Sequence, residues 1–262
     1  MKFAFMSFST PEMSLDQMLT LAREIGYDGI EPRLDAGHAH GVEAEADEAR
    51  RESIREAFAD APVELACLAT SCQFANPAEH EQMLADARER IELAGDLGAP
   101  CVRVFGGNYP DSMSRSDAVD AMTDALNELA PLGAERNVTI CVETHDAWCD
   151  PAHLAAVMQK VDHGAIGVNW DVMHPVRTGL ATIDESFELL RPWIRHTHVH
   201  DGDFSGEGST LVPIGNGEVD HRRAIERLQE ISFDGFLSGE WINWEPAETH
   251  LPRELATLQS YV

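Results

Sequence analysis

Lysine is almost missing from this 262-residue chain, occurring only at Lys2 and Lys160, and the rest of its 19 basic residues are arginine. Against them stand 46 Asp and Glu, for a formal net charge of -27. Such a surface repels phosphate backbones and anionic lipid over a long range at low salt, so neither nucleic acid nor a membrane is an expected partner. The acids are spread along the whole chain, which is the balance of a salt-accumulating halophile. In molar salt the Debye length is roughly 3 Å, and a dense acidic surface no longer repels itself. The sequence also lacks any apolar run long enough to span a bilayer, and Met1 to Phe8 carries neither a long hydrophobic region nor a cleavage site. A disulfide framework is missing too. The five cysteines are odd in number and show no C-x-x-C spacing, so they are expected to be reduced core thiols of a cytoplasmic protein. Finally, no Pro/Gly/Ser-rich linker breaks the chain, and no glycine-rich phosphate turn follows the first apolar run, where Phe8-Ser9-Thr10-Pro11 stand instead. That argues against a doubly wound open sheet and for one domain over residues 1–262.

What the chain does have is 44% hydrophobic residues, enough to bury a core without disulfide or metal staples. Short β-rich runs alternate with amphipathic helical stretches from end to end. Eight strands are expected: KFAFMSF from Lys2, DGIEP from Asp28, VELACLA from Val63, CVRVFG from Cys101, VTICVE from Val138, AIGVNWD from Ala165, IRHTHVH from Ile194 and GFLSGEW from Gly235. Roughly one strand per 33 residues is the unit length of an α/β protein of the (β/α)8 TIM barrel type. Helix punctuation agrees. Ser14 with Gln17 reads as a capping box, Asp150-Pro151 as an N-cap with proline at the first helical position, and Gly26, Gly98 and Gly133 as helix stops. The polar, proline-punctuated segment after Trp244 is expected to form a last helix.

In a barrel the reactive groups come from the C-terminal strand ends. Four successive ends finish on metal-ligand types: Glu143 in VETHD, Asp171 in NWDVMHP, His198 in HTHVHDGD and Glu240 in LSGEW. Strand alternation puts Cys141 with Glu143, Asn169 with Asp171, and Ser238 with Glu240 on shared faces, and His196, His198 and His200 on another. Three carboxylates and an imidazole suit one divalent ion, Mn, Mg, Co or Zn, better than a soft thiolate site would.

These four segments, with IGNGEVDH and FDGFLSGEW, resemble the sugar isomerase and epimerase group that has the xylose-isomerase-like TIM barrel. The group includes ketose 3-epimerases, hydroxypyruvate isomerases and inosose-converting enzymes. The resemblance covers essentially the whole chain and is strongest from Val138 to Trp241. It implies that Glu143, Asp171, His198 and Glu240 hold a single divalent metal, that His174 contacts a substrate hydroxyl, and that Gly215-Asn216-Gly217-Glu218 is a structural loop. It also implies a small sugar or polyol substrate and, since members often pair, a homodimer as one expected state. The chain departs from the group at His200-Asp201, where many members carry Lys-Asp. It also has no second Glu between Thr144 and Cys149, and no Arg between Gly202 and Gly208.

Isomerising a hydroxy-carbonyl compound requires removing a proton beside a carbonyl. A bound divalent ion stabilises the resulting enediolate, and two carboxylates can act as base and acid. Glu143 and Glu240 are the candidates for that pair. Arg33 and His38, in the loop EPRLDAGHAHG with His40, are candidate substrate contacts, with local turn bonding as the alternative. Arg103 is expected to pair with an acid. The same scaffold also accommodates a lyase, of the inosose or dehydroshikimate dehydratase kind, or a metal- or sugar-binding barrel without turnover. Phosphodiester cleavage would need more metal ligands and a basic groove, which the charge does not favour.

Overall fold

A computed structural model, describing every residue except Glu207 and Ser209, places all eight expected strands in one parallel ring. The strands are β1 (Lys2–Met6), β2 (Gly29–Glu31), β3 (Glu64–Leu65), β4 (Leu68–Gln73), β5 (Cys101–Phe105), β6 (Thr139–Glu143), β7 (Ile166–Asp171), β8 (Ile194–Val199) and β11 (Phe236–Gly239). They pair in the order β3-β2-β1-β11-β8-β7-β6-β5-β4. The expected third strand is split in two. β3 pairs with β2, β4 pairs with β5, and the register shifts between Ala69 and Gln73. The Ala66 N–H nonetheless donates to the Ile30 carbonyl at 2.9 Å, and the Ala69 N–H to the Pro32 carbonyl at 3.0 Å. The ring therefore closes through the Glu64–Gln73 segment, whose break at Ala66–Cys67 separates pairing with β2 from pairing with β5.

Helices α1 (Leu15–Ile25), α2 (Glu48–Ala59), α3 (His80–Leu97), α4 (Arg115–Arg136), α5 (Pro151–Val161), α7 (Ile183–Leu190), α8 (His221–Glu230) and α9 (Ala247–Gln259) are the long helices that accompany it. The capping box at Ser14 and Gln17 is present, Asp150 accepts from the Ala152 N–H, and Gly26 and Gly98 end their helices at φ 101° and 76°. Gly133 does not stop a helix. It lies buried inside α4, which runs on to Arg136 and ends at Asn137, φ 56°. A Cβ at Gly133 would meet the Val138 carbonyl at 2.9 Å, so this glycine lets the helix approach the chain entering β6.

Two elements had no sequence signal: the short α6 (Met173–Arg177), and a hairpin of β9 (Asp201–Asp203) with β10 (Thr210–Val212). Both follow C-terminal ends of ring strands. All five cysteines are free and buried. Among the described residues no helix is long and apolar enough to cross a membrane.

The apolar core is mainly the shell between ring and helices. Apart from it, two small apolar clusters are found among the described residues, Ala4 with Ala66 and Phe236, and Cys67 with Cys101 and Cys141. Beyond them come buried polar groups: Glu31, Arg103, Asn169, His196, His198 and Ser238. An ordinary barrel packs Val, Ile and Leu there. Polar groups in such a place are unfavourable unless they are paired or coordinate something.

His250 on α9 illustrates the opposite environment. Its ring lies 5.0 Å from Trp241 and 5.3 Å from Trp244, and both ring nitrogens lack partners. Burial, then nearby Arg253, push it down to about 4. Because the unfolded chain binds this proton near pH 6.5 and the folded one does not, the neutral ring contributes stability above about pH 6.5 that is lost as pH falls towards 4. His250→Phe is expected to remove on the order of 1–3 kcal/mol of the stability change between pH 7 and 4.5, read from urea melts at both pH values.

Candidate metal centre

The ring register assembles the site. Glu143 ends β6 opposite Asn169, Asp171 ends β7 opposite His198, and His198 lies opposite Ser238, two residues before Glu240. All four candidate ligands are buried, and one ligand atom from each lies within 4.8 Å of the others. His198 Nδ1 sits 3.0 Å from Glu143 Oε1 and 3.3 Å from Glu240 Oε2.

The electrostatics keep the carboxylates in their ligating form, whereas His198 carries a proton that a bound cation would displace. Burial alone would raise Glu240, yet His198 and then His200 and Arg103 hold it down to about 2. Asp171 is likewise held far below the usual carboxylate range, against burial, by His174, His200 and His198. Burial would lower His198, but the carboxylates of Glu31, Glu143 and Glu240 outweigh it and hold the imidazole well above the usual histidine range. Desolvated carboxylates this close together repel one another unless positive charge is placed between them. Three hard oxygen donors and one borderline nitrogen, converging within a few ångströms, fit a divalent cation.

Further residues complete the surroundings. Glu31, at the end of β2, contacts His196 Nε2 at 2.8 Å and His198 Nε2 at 3.1 Å. It ends a strand as the other four candidates do, and that was the available clue. Arg103 pairs with an acid as expected: its Nε lies 3.2 Å from Glu143 Oε2, and its Nη1 donates to the Thr70 carbonyl at 2.8 Å. His200 Nε2 lies 2.8 Å from Asp171 Oδ2. His145 Nδ1 lies 2.9 Å from Asp146 Oδ1. Burial lowers this imidazole, but the adjacent Asp146 carboxylate and the Glu143 charge raise it on balance.

Of the other sequence candidates, His174 is buried beside the cluster, its ring 4.5 Å from His145 and its Nε2 3.7 Å from Asp171 Oδ2. Its Nδ1 has no partner, and burial pushes it down to about 4. Arg33 donates to Ser71 Oγ at 2.7 Å and to the Leu34 carbonyl. Burial, then the facing Arg103, bring its guanidinium down to about 10. His38 Nδ1 bonds Ser7 Oγ at 2.8 Å, and His40 Nδ1 accepts from the Val42 N–H at 3.0 Å. The His40 bond is local, whereas the His38 bond reaches back 31 residues to the segment after β1, and neither histidine is among the groups that converge on the four ligands. Trp148, Trp170 and Trp241 are fully buried, the first two with their indole N–H bonded to Gly107 and Ser186.

A parallel barrel whose strand ends gather carboxylates and imidazoles defines an α/β barrel with a candidate metal centre, and sequence comparison narrows the class. Residues 19–261 match the xylose isomerase-like TIM barrel family, to which this chain belongs. It is similar to a 3-dehydroshikimate dehydratase of Bacillus anthracis, 24% identical over 253 residues that cover 90% of this chain and 88% of the relative. It is equally similar to the L-ribulose-5-phosphate 3-epimerase UlaE of Salmonella heidelberg, at 24% identity over 85% of this chain and 81% of the relative. Among solved structures, the IOLI protein with a bound zinc atom superposes with a TM-score of 0.80 at 18% identity, covering all of this chain and 96% of that one.

Proposed function

We propose that this single domain is a divalent-metal-dependent isomerase or epimerase of a small sugar or polyol-carbonyl compound, working through an enediolate. The observation that carries the reading is the convergence of Glu143, Asp171, His198 and Glu240 within 4.8 Å at the C-terminal end of the ring. A cation held there, Mn, Mg, Co or Zn, would act as a Lewis acid on a carbonyl and a neighbouring hydroxyl oxygen. The chain's own groups supply the rest. Glu240, at 7% exposure the most open of the four, is placed to take or return the α-proton. Glu143 is its partner in proton transfer, its Oε2 held by Arg103. His174 offers an unpartnered nitrogen to a substrate hydroxyl, and Arg33 and His38, from the loop after β2, are the further candidate substrate contacts. An enzyme on this barrel is supported by the named activities of relatives over most of the chain's length.

A second reading, loss of water after the same proton abstraction, is favoured by one specific observation. The His145–Asp146 pair provides an imidazole base outside the four ligands, beside His174. Product mass separates the two. Metal-loaded protein in molar KCl is offered ketoses, hydroxypyruvate, inososes and dehydroshikimate. An isomerase or epimerase gives products of unchanged mass, and a dehydratase gives one lighter by a water. His145→Gln should abolish turnover under the dehydratase reading and only weaken it under the first.

A further inference from the structure

The metal-centre reading gives no role to Glu31, a buried carboxylate in contact with one of the four ligands. Glu31 has no exposed surface, and both its oxygens face imidazoles: Oε2 lies 2.8 Å from His196 Nε2 and Oε1 lies 3.1 Å from His198 Nε2. The contact does not follow a sheet ladder, because β1 and β11 separate β2 from β8 in the ring. It crosses the barrel axis. His196 and His198 alternate onto the same face of β8 with ring centroids 5.6 Å apart, which is why one carboxylate reaches both Nε2 atoms. The other nitrogen of His198, Nδ1, points at Glu143 and Glu240.

A neutral imidazole can donate its lone pair to a cation from one nitrogen only, and the proton must then sit on the other. A carboxylate facing that second nitrogen fixes the tautomer and the ring plane and makes the ligating nitrogen more basic. We infer that Glu31 is the positioning residue that commits His198 to ligating through Nδ1, and that His196 holds Glu31 in place for this task. The inference rests on the metal-centre reading above. It also accounts for an ionic arrangement on a barrel axis where packed aliphatic side chains of similar volume are often as stable or more so.

The test is zinc titration of metal-stripped protein by calorimetry, together with long-range 15N–1H NMR of the histidine rings in the zinc-loaded state. The wild type should bind one ion, with His198 protonated on Nε2. Glu31→Gln presents a single carbonyl acceptor to two imidazoles and should weaken binding about 10- to 100-fold. His196→Gln keeps a donor for Glu31 and should stay within about threefold, whereas His196→Leu should fall towards Glu31→Gln. If Glu31→Gln does not fold, the contrast between the two His196 variants still decides the matter, and equal zinc affinity in both would overturn the inference. A purely structural role would lower thermal stability while leaving zinc affinity and the His198 nitrogen shifts unchanged, and that result overturns the inference. Two ions per chain would overturn it as well, in favour of Glu31 as a ligand. If the wild type binds no ion, the metal-centre reading itself falls.

Discussion

Glu240→Gln is expected to lower metal-dependent α-proton exchange by about 10²- to 10⁴-fold while the protein stays folded and still takes up metal. The substitution keeps the shape and one oxygen donor but removes the group able to accept a proton. Glu240 is the member of the cluster most open to the ring's mouth, and its neighbours keep it ionised down to about pH 2, so it is in the base form across the working range. The loss should fall on kcat rather than KM, because the interaction is made with the reacting carbon and not with the resting substrate. Glu143→Gln should be as damaging for a different mixture of reasons. Like Glu240→Gln it keeps one oxygen donor and removes a proton carrier, but it also leaves the buried Arg103 without its acid. Comparing metal uptake of the two variants separates ligation from proton transfer. If both retain near-native exchange with metal bound, neither carboxylate moves the proton.

Asp201→Ala is expected to cause the largest loss of stability. The Asp201 carboxylate is wholly buried and accepts four backbone N–H bonds. Oδ1 takes those of Gly202 at 2.9 Å and Val219 at 3.1 Å, and Oδ2 those of Gly215 at 2.9 Å and Gly217 at 3.0 Å. It thereby ties the β9–β10 hairpin to the Gly215–Glu218 loop. A Cβ on Gly217 would stand 2.3 Å from Asp201 Oδ1, so the glycine is there for close approach to the carboxylate. Removing one acceptor that serves four donors strands several N–H groups, and bonds to a charged partner contribute about 1.5–3 kcal/mol each. A net loss of about 3–5 kcal/mol is expected, or roughly 6–20 °C in Tm for a domain of this size. Asp201→Asn, which keeps one oxygen, should lose about half as much. The check is a thermal melt with metal concentration held fixed, since bound metal shifts Tm by mass action. Wild-type Tm in Asp201→Ala would show that the loop is held by other contacts.

The barrel was legible because its signals are periodic and local. Strand alternation, capping residues such as Ser14 and Asp150, and turn glycines such as Gly26 and Gly98 act within a few residues of chain. The four candidate ligands were legible for the same reason, each standing at a strand end that alternation can locate. What could not be read depended on contacts across the ring. Glu31 meets His198 from 167 residues away, and beyond its place at a strand end nothing in the run DGIEP shows which residues its carboxylate would face. The split of the third strand likewise depends on its two neighbours rather than on VELACLA itself. Gly133 carried a local stop signal that packing against the entry to β6 overrode. The HTHVHDGD segment marked a candidate ligand, but the part its Asp201 plays became visible only when the hairpin folded back against the glycine loop.

The most direct test of metal-dependent enolisation is proton NMR in D2O and molar KCl, following deuterium entry at the α-carbon of each candidate substrate. Manganese-loaded and EDTA-treated protein are compared, and the paramagnetic ion is removed before each spectrum. The mechanism predicts exchange in at least one compound with metal, none above background without it, and recovery when metal is restored. Exchange that survives complete removal of the metal, in protein shown to be folded, would contradict it.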